Sequence, residues 1–194
     1  MDIFLQAWGG GFYLLNKIFL ALAEGKKPQT KRQLKILGWI IYILGVPAWV
    51  IILFNKHAWI AASVEVGGVP SMLLGVFTAY QRDNSPNKIL DLTASISTYA
   101  FFILGACYSV YDYGGITSVS QLLEVNVMFG FLAGSYLLAK NSFYGWMFFM
   151  LMNGSMATLM FIHHKPLLSI QQLVSLGFVL YGFTVSLKSV QTKS

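Results

Sequence analysis

The chain has 194 residues, of which 56% are hydrophobic and 10% charged, with a net charge of +6 and a mean hydropathy of +0.64. Soluble domains carry about 25% charged residues, so the composition points to a chain embedded in a bilayer and argues against a soluble enzyme or a nucleic-acid-binding domain. The single cysteine, Cys107, excludes an intrachain disulfide and offers no metal cluster.

Seven apolar stretches follow one another, at about 3–23, 36–54, 58–80, 89–109, 121–139, 143–162 and 167–187. Each is close to the roughly 20 residues that cross about 30 Å of hydrocarbon. The first lacks the basic flank and small-residue cleavage site of a signal peptide, so it is expected to belong to the fold. Short polar links separate the stretches. In one of them Ser85 reads as a helix cap and Pro86 as the first helical residue. In the sixth stretch Asn153-Gly154 looks like a hairpin turn. A turn there would leave stubs of about ten residues, too short to span, so one helix with a polar weak point at its middle is expected. The fold class is therefore all-α integral membrane, a single transmembrane domain over residues 1–194.

Charge orients the spans. Lys26, Lys27, Lys31, Arg32, Lys35, Arg82, Lys88, Lys140, Lys188 and Lys193 fall at one membrane face, whereas the other has only Lys56 and Lys165. The positive-inside rule makes the first face cytoplasmic, which places the N-terminus outside, the C-terminus inside, and the chain in the inner (plasma) membrane. The high pI has the same explanation, so no nucleic-acid partner is expected.

Shifting the chain by 107 residues aligns 38–81 with 145–188 without a gap. The shift pairs identical residues at Gly38/Gly145, Trp39/Trp146, Leu44/Leu151, Phe54/Phe161, His57/His164, Leu73/Leu180 and Gly75/Gly182. Helix breakers match as well: Pro47 falls on Gly154, and Pro70 on Gly177. Breakers at corresponding positions of two halves point to a transport site between them, with these four residues as hinges. The shift covers four helices, an even number, so the repeat is parallel. It gives a 3+1+3 arrangement: repeat 1 over about 1–81, a linking helix at about 89–109, and repeat 2 over about 121–188.

Polar residues at membrane depth usually face a cavity or another helix. Glu65 and its repeat mate Gln172 lie roughly 8–10 Å inside the outer ends of their helices. Gln171 adjoins Gln172, about 100° away around the helix, so the pair cannot both face one pocket squarely. Glu124 and Asn126 lie near the outer end of the fifth span; Glu124 equally reads as an interfacial flank. Asn153 stands at mid-membrane, where bridging two helices is its plainer role. Trp146 is two turns before Asn153 on the same face, and an aromatic plane with an amide suits a flat, hydrogen-bonding ligand. Lys17, two-thirds along the first span, is expected to snorkel towards the inner face. His163 and His164 read as solvated, and no catalytic or nucleotide-binding motif is present. Gly130, Gly134 and Ser135 form a small-residue face that would suit close helix packing or a homo-oligomer.

The segment KNSFYGWMFFMLMNGSMATLMFIHHKPLLSIQQLVSLGFVLYG, residues 140–182, resembles the C-terminal half of the PnuC-type vitamin transporters. It shares a basic residue followed by Trp146, Asn153 seven residues later, and Gly182 near the end of the last helix; Glu124 resembles an acidic position near the start of the fifth span. The resemblance extends over about two-thirds of the chain. It departs at "TAYQR" and "TVSLK", where the family often has tryptophan, and at Tyr181. The resemblance implies a 3+1+3 fold and facilitated diffusion of nicotinamide riboside, thiamine or a related vitamin precursor, trapped inside by a cytoplasmic kinase. It implies binding by Trp146 and Asn153, together with Gln171, Gln172 and Glu124.

The expected function is uniport of such a vitamin, most simply nicotinamide riboside. Its candidate binding set is Asn153, Trp146, Gln171, Gln172, Glu124, Asn126 and Glu65, with no cofactor, metal or enzymatic activity. Proton- or sodium-coupled uptake through Glu65, and a non-transporting membrane scaffold, are the alternatives.

Overall fold

A computed structural model describes residues 2–55, 58–81 and 87–191. Eight helices account for nearly all of them: α1 (Asp2–Ala23), α2 (Pro28–Asn55), α3 (Trp59–Gly67), α4 (Val69–Tyr80), α5 (Lys88–Asp112), α6 (Val119–Ala139), α7 (Tyr144–Ile162) and α8 (Pro166–Gln191). Lys56, His57, Arg82, Ser85, Pro86 and Lys193, all used above, lie outside the described residues.

Six spans, rather than the expected seven, are long and apolar enough to cross a membrane: α2, Ile60–Tyr80, α5, α6, α7 and Pro166–Ser189. The chain is thus an all-helical, multi-pass membrane protein by length and composition. The shortfall is α1. It has 22 residues, but Gln6, Gly9, Gly10, Gly11, Asn16 and Lys17 dilute its apolar character.

The third expected stretch is two helices meeting at Gly68. Pro70 sits in the first turn of α4, where its missing N–H costs nothing. Across the break, Ser97 Oγ donates to the Gly67 carbonyl at 2.7 Å, and Ser71 and Thr98 hydroxyls meet at 3.3 Å, so α5 braces the joint. As described, α5 opens at Lys88, with the Asn87 side chain accepting from the backbone N–H groups of Ile89 and Leu90. Asn87, one residue beyond the expected proline, is therefore the cap. Pro47 lies inside α2, which continues through it. The helix α7 runs unbroken through Asn153-Gly154, as the span-length argument requires.

The helices close into a ring. α1 packs on α2 and α8, α2 on α4, α4 on α6, α6 on α7, and α7 on α8, while α5 stands outside against α3, α4 and α6. The glycines of α6 serve this ring. A Cβ on Gly130 would fall 2.6 Å from the Phe148 carbonyl oxygen, and one on Gly134 would fall 2.6 Å from the Phe149 ring. Gly130, Gly134 and Ser135 are all buried within the chain, the two glycines against α7.

One packing relation occurs twice, 107 residues apart. The Trp146 indole lies against Gly182, where an added Cβ would be 2.7 Å from the ring, and the Trp39 indole lies against Gly75 in the same manner. Both tryptophans are 1% exposed.

Charges gather at the end of the ring that holds the α1–α2 and α6–α7 links. Glu24 pairs with Lys31 at 2.6 Å and Lys35 at 3.1 Å; Lys35 also donates to Asn141 at 2.8 Å. Asp91 pairs with Lys140 at 2.9 Å and accepts from the Tyr136 hydroxyl. His163 and His164 are exposed at the opposite end.

Candidate functional site

A cavity of about 670 Å³ lies within the ring, in the size range of small-molecule sites. Every span contributes to its wall. Tyr13 and Lys17 come from α1, Trp49 from α2, Val64 and Glu65 from α3, and Asp112 from the end of α5. Glu124, Met128 and Phe131 come from α6, Met152 and Asn153 from α7, and Gln171, Gln172 and Ser175 from α8.

Chain direction gives its depth. α7 starts at the basic end, and its cavity residues begin at Met152; α8 starts at the other end, and its cavity residues stop at Ser175. Asp112, Tyr113 and Glu124 are exposed. The cavity therefore opens at the end opposite the basic cluster. Towards the basic end the interior is filled by Trp39, Leu74, Leu132, Trp146 and Val179, all buried.

The floor is aromatic. Tyr42 meets Tyr13 edge-on at 4.8 Å between ring centroids and Phe131 at 6.0 Å. Lys17 does not snorkel. It is 1% exposed, with its ammonium 3.5 Å from the Phe149 ring centroid and 4.3 Å from that of Tyr42. Ring faces attract cations, so an aromatic wall holds the charge inside the bundle. Lys17 Nζ donates to Asn16 Oδ1 at 3.1 Å and to the Tyr42 hydroxyl at 3.3 Å. The Tyr13 hydroxyl hydrogen-bonds the Glu65 carboxylate.

Asn153 is fully buried. Its Nδ2 donates to the Phe149 carbonyl at 2.7 Å, while its Oδ1 has no partner. An unpaired buried acceptor is costly, and this one lines the cavity, where a ligand donor would relieve it. The Trp49 indole N–H, also on the wall, is likewise unpartnered.

No family model, curated protein or solved structure matches this chain.

Of the sequence candidates, Asn153, Glu65, Gln171, Gln172 and Glu124 line one cavity. Gln171 and Gln172 are both on the wall, because the cavity wraps far enough around α8 to meet side chains 100° apart. Gln171 also lies flat on Gly10 of α1, 2.8 Å from where a Cβ would be. Asn126 is half-buried and outside the cavity wall. Trp146 is not on the wall either: the Gly182 notch takes its ring into the layer beneath the floor. Of the hinge candidates, Pro47 and Gly177 are exposed, Gly154 and Pro70 half-buried, and a Cβ at Gly154 or Gly177 would meet nothing within 4 Å. Sequence reasoning missed Tyr13, Trp49 and the inward turn of Lys17. The adjacent Asn16-Lys17 pair in mid-span, far from either end, was the available signal.

Proposed function

We propose that the chain is a uniporter that lets a small water-soluble vitamin or vitamin precursor equilibrate across the inner membrane by alternating access, with nicotinamide riboside the first candidate. One observation carries this: the cavity draws polar side chains from both ends of the sequence, opens at one end of the ring, and is plugged at the other by buried aromatic and aliphatic residues. A site of this kind, open to one side at a time, is what alternating access needs.

In this reading α1 is a seventh span. Its costly residues are turned to protein: Asn16 is fully buried, donating to the Gly38 carbonyl at 3.0 Å, and Lys17 is held by aromatic rings. The 3+1+3 arrangement then groups α1, α2 and α3/α4 as one bundle and α6, α7 and α8 as the other, with α5 linking them. Support comes from the ring of contacts, which is unchanged when the bundles are exchanged. α1 on α2 becomes α6 on α7, α2 on α4 becomes α7 on α8, and α1 on α8 becomes α6 on α4. The doubled tryptophan–glycine packing supports the parallel repeat. The basic end faces the cytoplasm, so the cavity opens outward, the N-terminus is outside, and a cytoplasmic kinase traps the imported compound.

Uptake by vesicles containing purified protein tests this. Nicotinamide riboside, its carboxylate analogue, thiamine, riboflavin and nucleosides are offered in turn; if none equilibrates faster than in empty vesicles, the vitamin-uniport reading is refuted.

Coupling to a proton or sodium gradient is a second reading, favoured by the Glu65 carboxylate bound to the Tyr13 hydroxyl within the cavity. It requires that Glu65→Gln abolish any response of uptake to an imposed pH or sodium gradient.

A further inference from the structure

The two buried lysines of the described chain are treated differently. Lys35 has the Glu24 carboxylate at 3.1 Å. Lys17, more deeply buried, has no carboxylate within 4 Å; its partners are an amide oxygen, a phenol oxygen and two ring faces. Both hydrogen bonds exceed 3 Å, whereas charge-assisted bonds run about 2.7–2.9 Å. A buried charge without a directly bonded counterion is expensive; Glu65 attracts Lys17 only from beyond bonding distance, and a cage of neutral acceptors and rings offsets only part of the remaining cost. The ammonium is on the cavity wall, so a ligand can supply what the protein does not.

The remaining charges of the cavity have the other sign. Glu65 stands on α3, held by Tyr13, and Glu124 and Asp112 lie nearer the mouth. The cavity is thus polarised, with a cation at the floor and carboxylates above it. The unpaired Asn153 Oδ1 adds a neutral acceptor to the same cavity wall.

We infer that the ligand of this cavity is a zwitterion, whose anionic group is taken by Lys17 and whose cationic centre faces Glu65 and the carboxylates above. A purely cationic ligand leaves Lys17 without a bonded anion and competes with it for Glu65, and a purely anionic one must pass Glu124 and Asp112. This rests on the vitamin-transport reading and sharpens it: within nucleoside-like vitamin precursors it favours a positively charged ring bearing a carboxylate over the same ring bearing a carboxamide.

The test compares nicotinic acid riboside, a zwitterion, with nicotinamide riboside, a cation, on the full chain in vesicles, alongside melting-temperature shifts in detergent. The acid is expected to enter faster and stabilise more than the amide. Lys17→Met is expected to weaken acid uptake by about tenfold or more, the loss of one charge-assisted contact, while Lys17→Arg keeps the preference. If Lys17→Met does not fold, Lys17→Arg and the wild-type ranking still decide. The inference is overturned, with transport intact, if the amide is preferred or if the preference for the acid survives Lys17→Met; Lys17 then serves only to balance Glu65. If neither compound enters nor shifts the melting temperature, the vitamin reading falls together with the inference.

Discussion

Lys35 on α2 donates to the side chain of Asn141 at 2.8 Å, joining the first part of the chain to the α6–α7 link at the plugged end of the cavity. Asn141 adopts a left-handed backbone (φ 57°), so glycine is the substitution that removes the acceptor without strain. Asn141→Gly is expected to cost about 1 kcal/mol, a fall of roughly 2–4 °C in melting temperature, and to speed uptake if this contact holds the plugged end shut. Asn141→Asp keeps an acceptor and adds a charge for Lys35, so its melting temperature should match or exceed wild type. Equal uptake by all three proteins would show that the contact is not a latch.

The same cluster gives a pH dependence. Burial pushes the Glu24 carboxyl up, but the charges and hydrogen bonds of Lys35 and Lys31 outweigh it and hold the group below its ordinary value. Its contribution is complete above the ordinary carboxylate value, about 4.3, and is lost as pH falls from there through the lower folded value. Glu24→Gln should lower stability by about 1–3 kcal/mol at pH 7 and flatten the acid limb of a melting-temperature profile. An acid limb of unchanged slope would mean that other carboxylates govern it.

The glycines divide into two groups with opposite expected effects. Gly75→Ala and Gly182→Ala drive a methyl into Trp39 and Trp146, so each should cost about 1–3 kcal/mol through overpacking. Gly154→Ala and Gly177→Ala meet nothing. Each should gain up to about 0.5–1 kcal/mol of helix stability while slowing uptake, if these positions flex as hinges. Thermal melts read the first pair, and melts together with vesicle uptake read the second. Unchanged uptake in both hinge variants would remove them from the mechanism.

Asn153→Leu separates a binding role from a packing role. The only hydrogen bond lost is to the residue one turn back on its own helix, and the unpaired Oδ1 is removed, so the apo protein should melt within about 1 kcal/mol of wild type. Ligand-induced stabilisation, by contrast, should disappear. A large loss of apo stability, or an unchanged ligand response, would make Asn153 a structural residue and favour the scaffold alternative.

Much of the architecture was legible in the sequence, because the relevant signals are local. Hydropathy over about 20 residues marked six of the seven expected spans, charge in the links marks one end as basic, and the rise of 1.5 Å per residue fixes distance from a helix end. The unbroken α7 and the placement of Glu65, Glu124 and Gln172 away from the basic end followed from these. The 107-residue shift pairs Trp39 with Trp146 and Gly75 with Gly182, and in the structure Trp39 packs on Gly75 and Trp146 on Gly182. What the sequence could not fix is the rotation of each helix about its axis, which depends on the partners it packs against. Trp146 sits on the same stripe as Asn153, yet Gly182 opens a notch that takes its ring out of the cavity. Lys17 has the stem of a snorkelling residue, yet Tyr42 and Phe149, from two other helices, offer ring faces that hold it inside. The joint at Gly68 is likewise a tertiary decision, since Ser97 and Thr98 of α5 brace it. The sequence by itself set how far along its helix each residue lies; only the packing of seven helices around one cavity decided which of them look into it.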